Sequence, residues 1–149
     1  MNISHILITT DLTPESLRPC RPIAELARKL GARMTLLHVV QDLKVAPHGA
    51  PVAPAISSPD LNEELKHAAL ALEEQEASLG TDVEVSSEVI SGGSIAETVA
   101  QYADKHHADL IAMSTHGRTG FRHLALGSVA EAVLRQAHVP VLTFPQPKD

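Results

Sequence analysis

Asp109-Leu110-Ile111-Ala112-Met113, then Ser114-Thr115-His116-Gly117, then Arg118 to Leu126, then Gly127-Ser128-Val129, is the stretch that decides how this chain folds. Its first five residues form an apolar run short enough to be a buried strand, and Val129-Ala130-Glu131-Ala132-Val133-Leu134 reads as a helix. The order is therefore strand, loop, helix. A small-residue turn and a glycine-hydroxyl turn bracket the arm between them. Glycines let backbone approach a ligand with no Cβ in the way, and free N–H groups at a helix start attract anions, so such a loop can wrap phosphates.

Outward from this unit the elements keep alternating. Ile3 to Thr10 is an apolar, β-branched run, and Pro14 to Leu30 places Leu17, Cys20, Ile23, Ala27 and Leu30 at helical spacing before Gly31. Pro19 and Pro22 lack an N–H, so that helix is expected to begin late or bend in its first turns. Met34 to Val40 reads as a second buried strand. From Gln41 to Pro59, four prolines and Gly49 without periodicity read as a long surface loop. Ser58-Pro59 then opens a helix with Leu61, Leu65, Ala68, Leu72 and Leu79 inward, ended by Gly80, and with Glu73-Glu74-Gln75-Glu76 as its solvated face. Val83 to Ile90 alternates as a strand near a sheet edge, and Ser91-Gly92-Gly93-Ser94 is a turn leading into a capping box, Ser94-Ile95-Ala96-Glu97. Ser128-Val129-Ala130-Glu131 repeats that capping pattern, which would commit the Ser128 hydroxyl to the helix. Val139 to Phe144 is the fifth strand. Strands separated by helices require parallel pairing with right-handed crossovers, which gives a doubly wound α/β sheet with helices on both faces.

Composition narrows the functional classes. The 149 residues are expected to form one domain, residues 1–149. Cys20 is the only cysteine, so no internal disulfide forms, and it reads as a small buried apolar residue. No apolar run is long enough to span a membrane and none resembles a secretion signal, which points to the cytoplasm and away from membranes. With 12 Lys and Arg against 18 Asp and Glu, the net charge of −6 argues against nucleic acid as a partner. The nine histidines show no ligand spacing for zinc and are read as scattered surface or capping residues.

Gly117, the nine residues Arg118 to Leu126, and Gly127-Ser128 have the spacing of the universal stress protein family, which this chain resembles. In that family's nucleotide-binding members the pattern is Gly, two residues, Gly, nine residues, then Gly-Ser or Gly-Thr; here Ser114 holds the first glycine's position. Ile6 to Asp11, Leu36-Leu37-His38-Val39, Ala108 to Ile111 and Val139-Pro140-Val141-Leu142 extend the resemblance over nearly the whole chain. The resemblance implies strand order 3-2-1-4-5, with a switch point between strands 1 and 4 where ligands sit at the carboxyl ends. It implies ATP with Mg²⁺ as ligand and cofactor, held by Thr9, Thr10, Asp11, Val39, Met113, Ser114, His116, Gly117, Arg118, Gly127, Ser128 and Val129. Within that set, Asp11 would hold the metal or cap its own turn, Thr10 would bond phosphate, and Val39 would lie against adenine through its backbone. Arg118, Arg122 and His123 would neutralise phosphate charge. The family's dimers further imply a homodimer through strand 5, residues 139–144.

Gly-x-Ser-x-Gly is absent, and no paired carboxylates flank the crevice, so at most slow ATP hydrolysis by unactivated water is expected. The chain therefore reads as an ATP-binding switch in a stress response, with a protein partner the sequence does not name. The alternatives are a nucleotide-free interaction protein of the same fold and a weak ATP hydrolase.

Overall fold

Five parallel strands form one sheet in the order β3-β2-β1-β4-β5, with β1 His5–Thr9, β2 Arg33–Gln41, β3 Val85–Gly92, β4 Leu110–Ser114 and β5 Val141–Phe144. The computed structural model describes residues 1–43, 60–115 and 126–146. Among these residues are four α-helices: α1 Cys20–Leu30, α2 Leu61–Ser78, α3 Ile95–Lys105 and α4 Ser128–Gln136. The order and the α/β class are those expected.

The period of two along each strand sorts side chains into two cores. Ile6 and Ile8 of β1, Met34 and Leu36 of β2, and Leu110 and Ala112 of β4 face α1 and α2, where Cys20, Ile23, Ala27 and Leu72 meet them. Leu7, Leu37, Val39, Ile111 and Met113 face the other way, against Val99 and Ala103 of α3 and Ala130 and Val133 of α4. Burial on both faces is why β1 and β4 are continuous apolar runs. The edge strand β3 alternates half-buried with exposed positions over most of its length, as the Val/Ser pattern anticipated.

Helix boundaries follow local chemistry. After β1 the chain makes a 3-10 turn, Pro14–Leu17, and α1 starts only at Cys20, with Pro19 at its N-cap and Pro22 in the first turn, where a missing N–H costs nothing. It ends at Gly31, whose φ of 67° is the left-handed cap conformation. The Ser94 hydroxyl accepts from the Glu97 N–H, as the capping pattern predicted. Gly92 closes β3 so near α3 that a Cβ there would stand 2.0 Å from Thr98 Oγ1.

Four expectations change. The cap of α2 is Asp60, whose carboxylate accepts from the Asn62 N–H; Ser58, Pro59 and the rest of 44–59 lie outside the described residues. Ser128 does not cap α4: Gly127 is the N-cap, with no side-chain cap bond, because the chain enters the helix one residue earlier than the Ser-x-x-Glu pattern suggested. The run 73–76 is only half solvated, since Gln75 and Glu76 turn toward the sheet and bond Thr10 and Ser87. Finally, the histidines are not all peripheral. His5 is 2% exposed, with Nδ1 3.1 Å from the His106 carbonyl and Nε2 2.8 Å from Thr35 Oγ1. Cys20 is buried as read, and burial pushes its thiol up to about 11.

Candidate functional site

Where β1 and β4 part company at their carboxyl ends, a cavity of about 290 Å³ opens. Its place follows from topology: the crossovers from β1 and β4 leave in opposite directions, to α1 on one face and α4 on the other, which opens a crevice between the two strand ends. One wall is apolar, made by Leu37 and Val39 of β2, Ile95 and Val99 of α3, and Met113 of β4. The other is polar, with Asp11, Ser114, Thr115 and the first turn of α4.

The β1 exit turn carries the only carboxylate among the described lining residues. Asp11 Oδ1 accepts from the Thr13 N–H at 3.0 Å and from the Thr13 hydroxyl. The turn-capping role is therefore real. It uses one oxygen only, and Oδ2 is buried without a hydrogen-bond partner. Leu12, next along, has φ 69°, a left-handed conformation costly for a residue with a Cβ, and its N–H donates to Thr10 Oγ1 at 3.0 Å.

Thr10 itself is 6% exposed, and its hydroxyl is engaged inside the protein, 2.7 Å from Ser16 Oγ and 2.8 Å from Gln75 Oε1. Its carbonyl lies 2.8 Å from His38 Nδ1; a carbonyl only accepts, so Nδ1 carries the proton and the imidazole is fixed beside the cavity.

Beyond Ser114, the Gly127 N–H donates to the Thr115 carbonyl at 2.6 Å, and the Thr115 N–H donates to the Phe144 carbonyl of β5 at 3.0 Å. These two bonds seat the N-terminus of α4 against β4. The amides of Ser128, Val129 and Ala130 precede the onset of intrahelical bonding, and all three residues line the cavity.

Of the residues expected at the site, Thr9, Thr10, Asp11, Val39, Met113, Ser114, Gly127, Ser128 and Val129 all line this cavity. His116, Gly117 and Arg118, like Arg122 and His123, lie outside the described residues. Outside the expected ligand set but lining the cavity are Ser16, Leu37, His38, Ile95, Val99, Thr115 and Ala130, of which Thr115 falls within the stretch 113–117 expected at the crevice. His38 and Thr115 had a legible signal, one standing next to Val39 and the other next to Ser114. Ser16 and Ile95 come from other elements and had none.

The donor set fits an anion with a bridging hard cation. Oδ2 of Asp11 is an oxygen donor with nothing to hold, and Mg²⁺ is commonly bound by one or two carboxylates plus phosphate and water. Among the described residues no three His, Cys, Asp or Glu converge to hold a metal alone, so a cation here would need oxygens from its ligand. The α4 amides fit phosphate oxygens, and the apolar wall fits a flat ring.

A parallel sheet in the order 3-2-1-4-5 with a half-apolar cleft at its switch point defines a doubly wound α/β fold. Comparison with known proteins narrows the class. Residues 2–145 match the universal stress protein family, and the chain is 34% identical over 146 residues to a universal stress protein of Methanocaldococcus jannaschii, covering 96% of this chain and 82% of that one. This chain belongs to the universal stress protein family. Among solved structures, a universal stress protein in complex with cAMP matches with a TM-score of 0.70 at 16% identity, over 97% of this chain and 98% of the other. A second, from Archaeoglobus fulgidus in complex with dAMP, matches with a TM-score of 0.61 at 21% identity, over 96% and 98%. At those identities the likeness is one of fold.

Proposed function

We propose that this chain binds an adenine nucleotide, ATP with Mg²⁺, in the cavity between β1 and β4, and acts as a nucleotide-dependent switch in a stress response. The observation that carries the reading is that Asp11, whose Oδ2 is buried without a hydrogen-bond partner, lines a cavity that also has an apolar wall and a helix N-terminus. Adenine takes the apolar wall beside Val39 and Met113, and the phosphates take the amides of Gly127, Ser128 and Val129 with Ser114. His116, Gly117 and Arg118 complete the phosphate contacts, and Asp11 supplies a ligand to Mg²⁺. The Ser128 hydroxyl is available for this because Gly127 does the capping. Two solved proteins of this fold described with cAMP and dAMP support the adenine class. No helix among the described residues is long and apolar enough to cross a membrane, and the single cysteine is buried; both accord with a cytoplasmic protein.

Mass spectrometry of small molecules released from the purified protein tests the ligand, with an adenine nucleotide as the expected species. Titration calorimetry tests the metal. Asp11→Ala is expected to weaken ATP binding more in Mg²⁺ than in EDTA, because only the metal-dependent part is lost; equal losses in both buffers would assign Asp11 to its turn alone.

The same reading includes a homodimer through residues 139–144. β5 is a sheet edge, and Leu142 on it is 41% exposed. An uncovered apolar edge invites pairing with a second copy. Light scattering that gives a monomer mass at tens of micromolar would end this part of the proposal.

A further inference from the structure

Gln75 lies in the last turn of α2, a helix that contributes no described residue to the cavity. Its side chain nevertheless spans the turn that carries Asp11. Oε1 accepts from the Thr10 hydroxyl at 2.8 Å, and Nε2 donates to the Thr13 carbonyl at 3.4 Å. These two residues flank Asp11 in the chain and in space.

The turn depends on such support. Leu12 holds a left-handed φ of 69°, which local sterics oppose, so contacts from elsewhere must over-determine it. Thr10 Oγ1 receives the Leu12 N–H, and Thr13 fixes Asp11 Oδ1 with both its N–H and its hydroxyl. With Oδ1 fixed, the carboxylate plane is set, and so is the direction of Oδ2. Glu76, the next residue, bonds Ser87 of β3, so the segment of α2 that braces the turn is itself anchored to the sheet.

We infer that Gln75 is a positioning residue for the ligand-binding carboxylate: by bracing Thr10 and Thr13 it sets where Asp11 Oδ2 points before a ligand arrives. An amide suits the task because it offers an acceptor and a donor in one plane, where a carboxylate offers no donor. A preset carboxylate has less to lose in order on binding, and that difference appears as affinity. The inference rests on the nucleotide reading for its effect on binding, but not for the bracing itself.

Gln75→Met keeps the length and packing of the side chain and removes both hydrogen bonds. ATP affinity in Mg²⁺ is expected to fall about three- to tenfold, the range of one or two such bonds. In an Asp11→Ala background the same change is expected to alter affinity less than about twofold, because the residue acts through that carboxylate. A second measurement needs no nucleotide. In the ligand-free protein, amide hydrogen exchange at Leu12 and Thr13 is expected to quicken at least about fivefold in Gln75→Met, while the amides of β1 and β4 keep their rates.

Unchanged ATP affinity in Gln75→Met, or an equal loss with and without Asp11, overturns the inference when the wild-type protein binds ATP. If the wild-type protein binds none, the nucleotide reading falls by itself and the exchange rates decide: unchanged rates at Leu12 and Thr13 would sink the bracing role too.

Discussion

Ser114 and Gly127 both line the cavity, and they differ in how they respond to substitution. Ser114 is the last residue of β4, where extended backbone accepts any side chain. Gly127 has φ −70° and ψ 156°, so a β-branched residue fits its backbone without strain. A valine there would place its methyls at the mouth of the α4 N-terminus. Ser114→Gly is therefore expected to change ATP affinity by less than about tenfold, or roughly 1.4 kcal/mol, whereas Gly127→Val removes measurable binding and leaves the fold intact. Calorimetric titration with circular dichroism as the folding check decides between them. A large gain from Ser114→Gly would mean that the serine had disabled the site; unchanged binding in Gly127→Val would put the phosphates elsewhere.

At the scale of elements, the junction of β3 with α3 leaves no room for a Cβ at Gly92. Gly92 has ordinary backbone angles, so space rather than φ demands glycine there. A Cβ would meet Thr98 Oγ1 at 2.0 Å and Thr98 Cβ at 3.0 Å, so rotating the threonine about χ1 cannot clear it. That hydroxyl also donates to the Ser94 carbonyl at 2.6 Å. Gly92→Ala is expected to lower unfolding free energy by about 1–3 kcal/mol, the usual cost of overpacking, measured by urea denaturation. Thr98→Ala in the same chain should recover part of the loss. If Gly92→Ala unfolds at the wild-type midpoint, α3 is free to slide along the sheet. The join matters to the site because the first two turns of α3 carry Ile95 and Val99 into the apolar wall.

Across the whole molecule, a polar chain crosses the sheet at the end opposite the cavity. The His106 carbonyl can only accept, so His5 Nδ1 is the protonated nitrogen and Nε2 accepts from Thr35 Oγ1, which lies 3.2 Å from Ser86 Oγ on β3. Protonating Nε2 would set a second N–H against a hydroxyl already donating to it. Burial, with smaller contributions from Arg33 and His106, lowers the His5 pKa, against the opposing pull of the His106 carbonyl and Asp109. The unfolded chain therefore takes up the proton first as pH falls. Stability owed to neutral His5 is full above the ordinary histidine value of 6.5 and is lost as pH falls through and below it. Asp109 does not confuse that window, because hydrogen bonds from Ser4 and His5 lower its own pKa. The urea midpoint is expected to fall between about pH 7.5 and about pH 5, and His5→Gln to flatten part of the fall. Equal slopes in the two proteins would assign the pH dependence to other groups.

The amino-acid sequence by itself determined the alternation of strands and helices, the late start of α1 after its prolines, and the Ser94 cap. It also placed the lips of the cavity, through the resemblance carried by Gly117, Gly127 and Ser128. These are short-range matters, since period, proline and capping chemistry act within a few residues. Tertiary structure decided the rest. Gln75 and Glu76 read as solvated because a helix sequence does not say which side of its last turn faces the sheet. His5 read as peripheral because its partners are 30 and 101 residues away. The free oxygen of Asp11 could not be foreseen either. Whether a carboxylate spends one oxygen or two on its turn depends on how Thr10, Thr13 and Gln75 close around it, and only packing brings Gln75 across 62 residues to that turn.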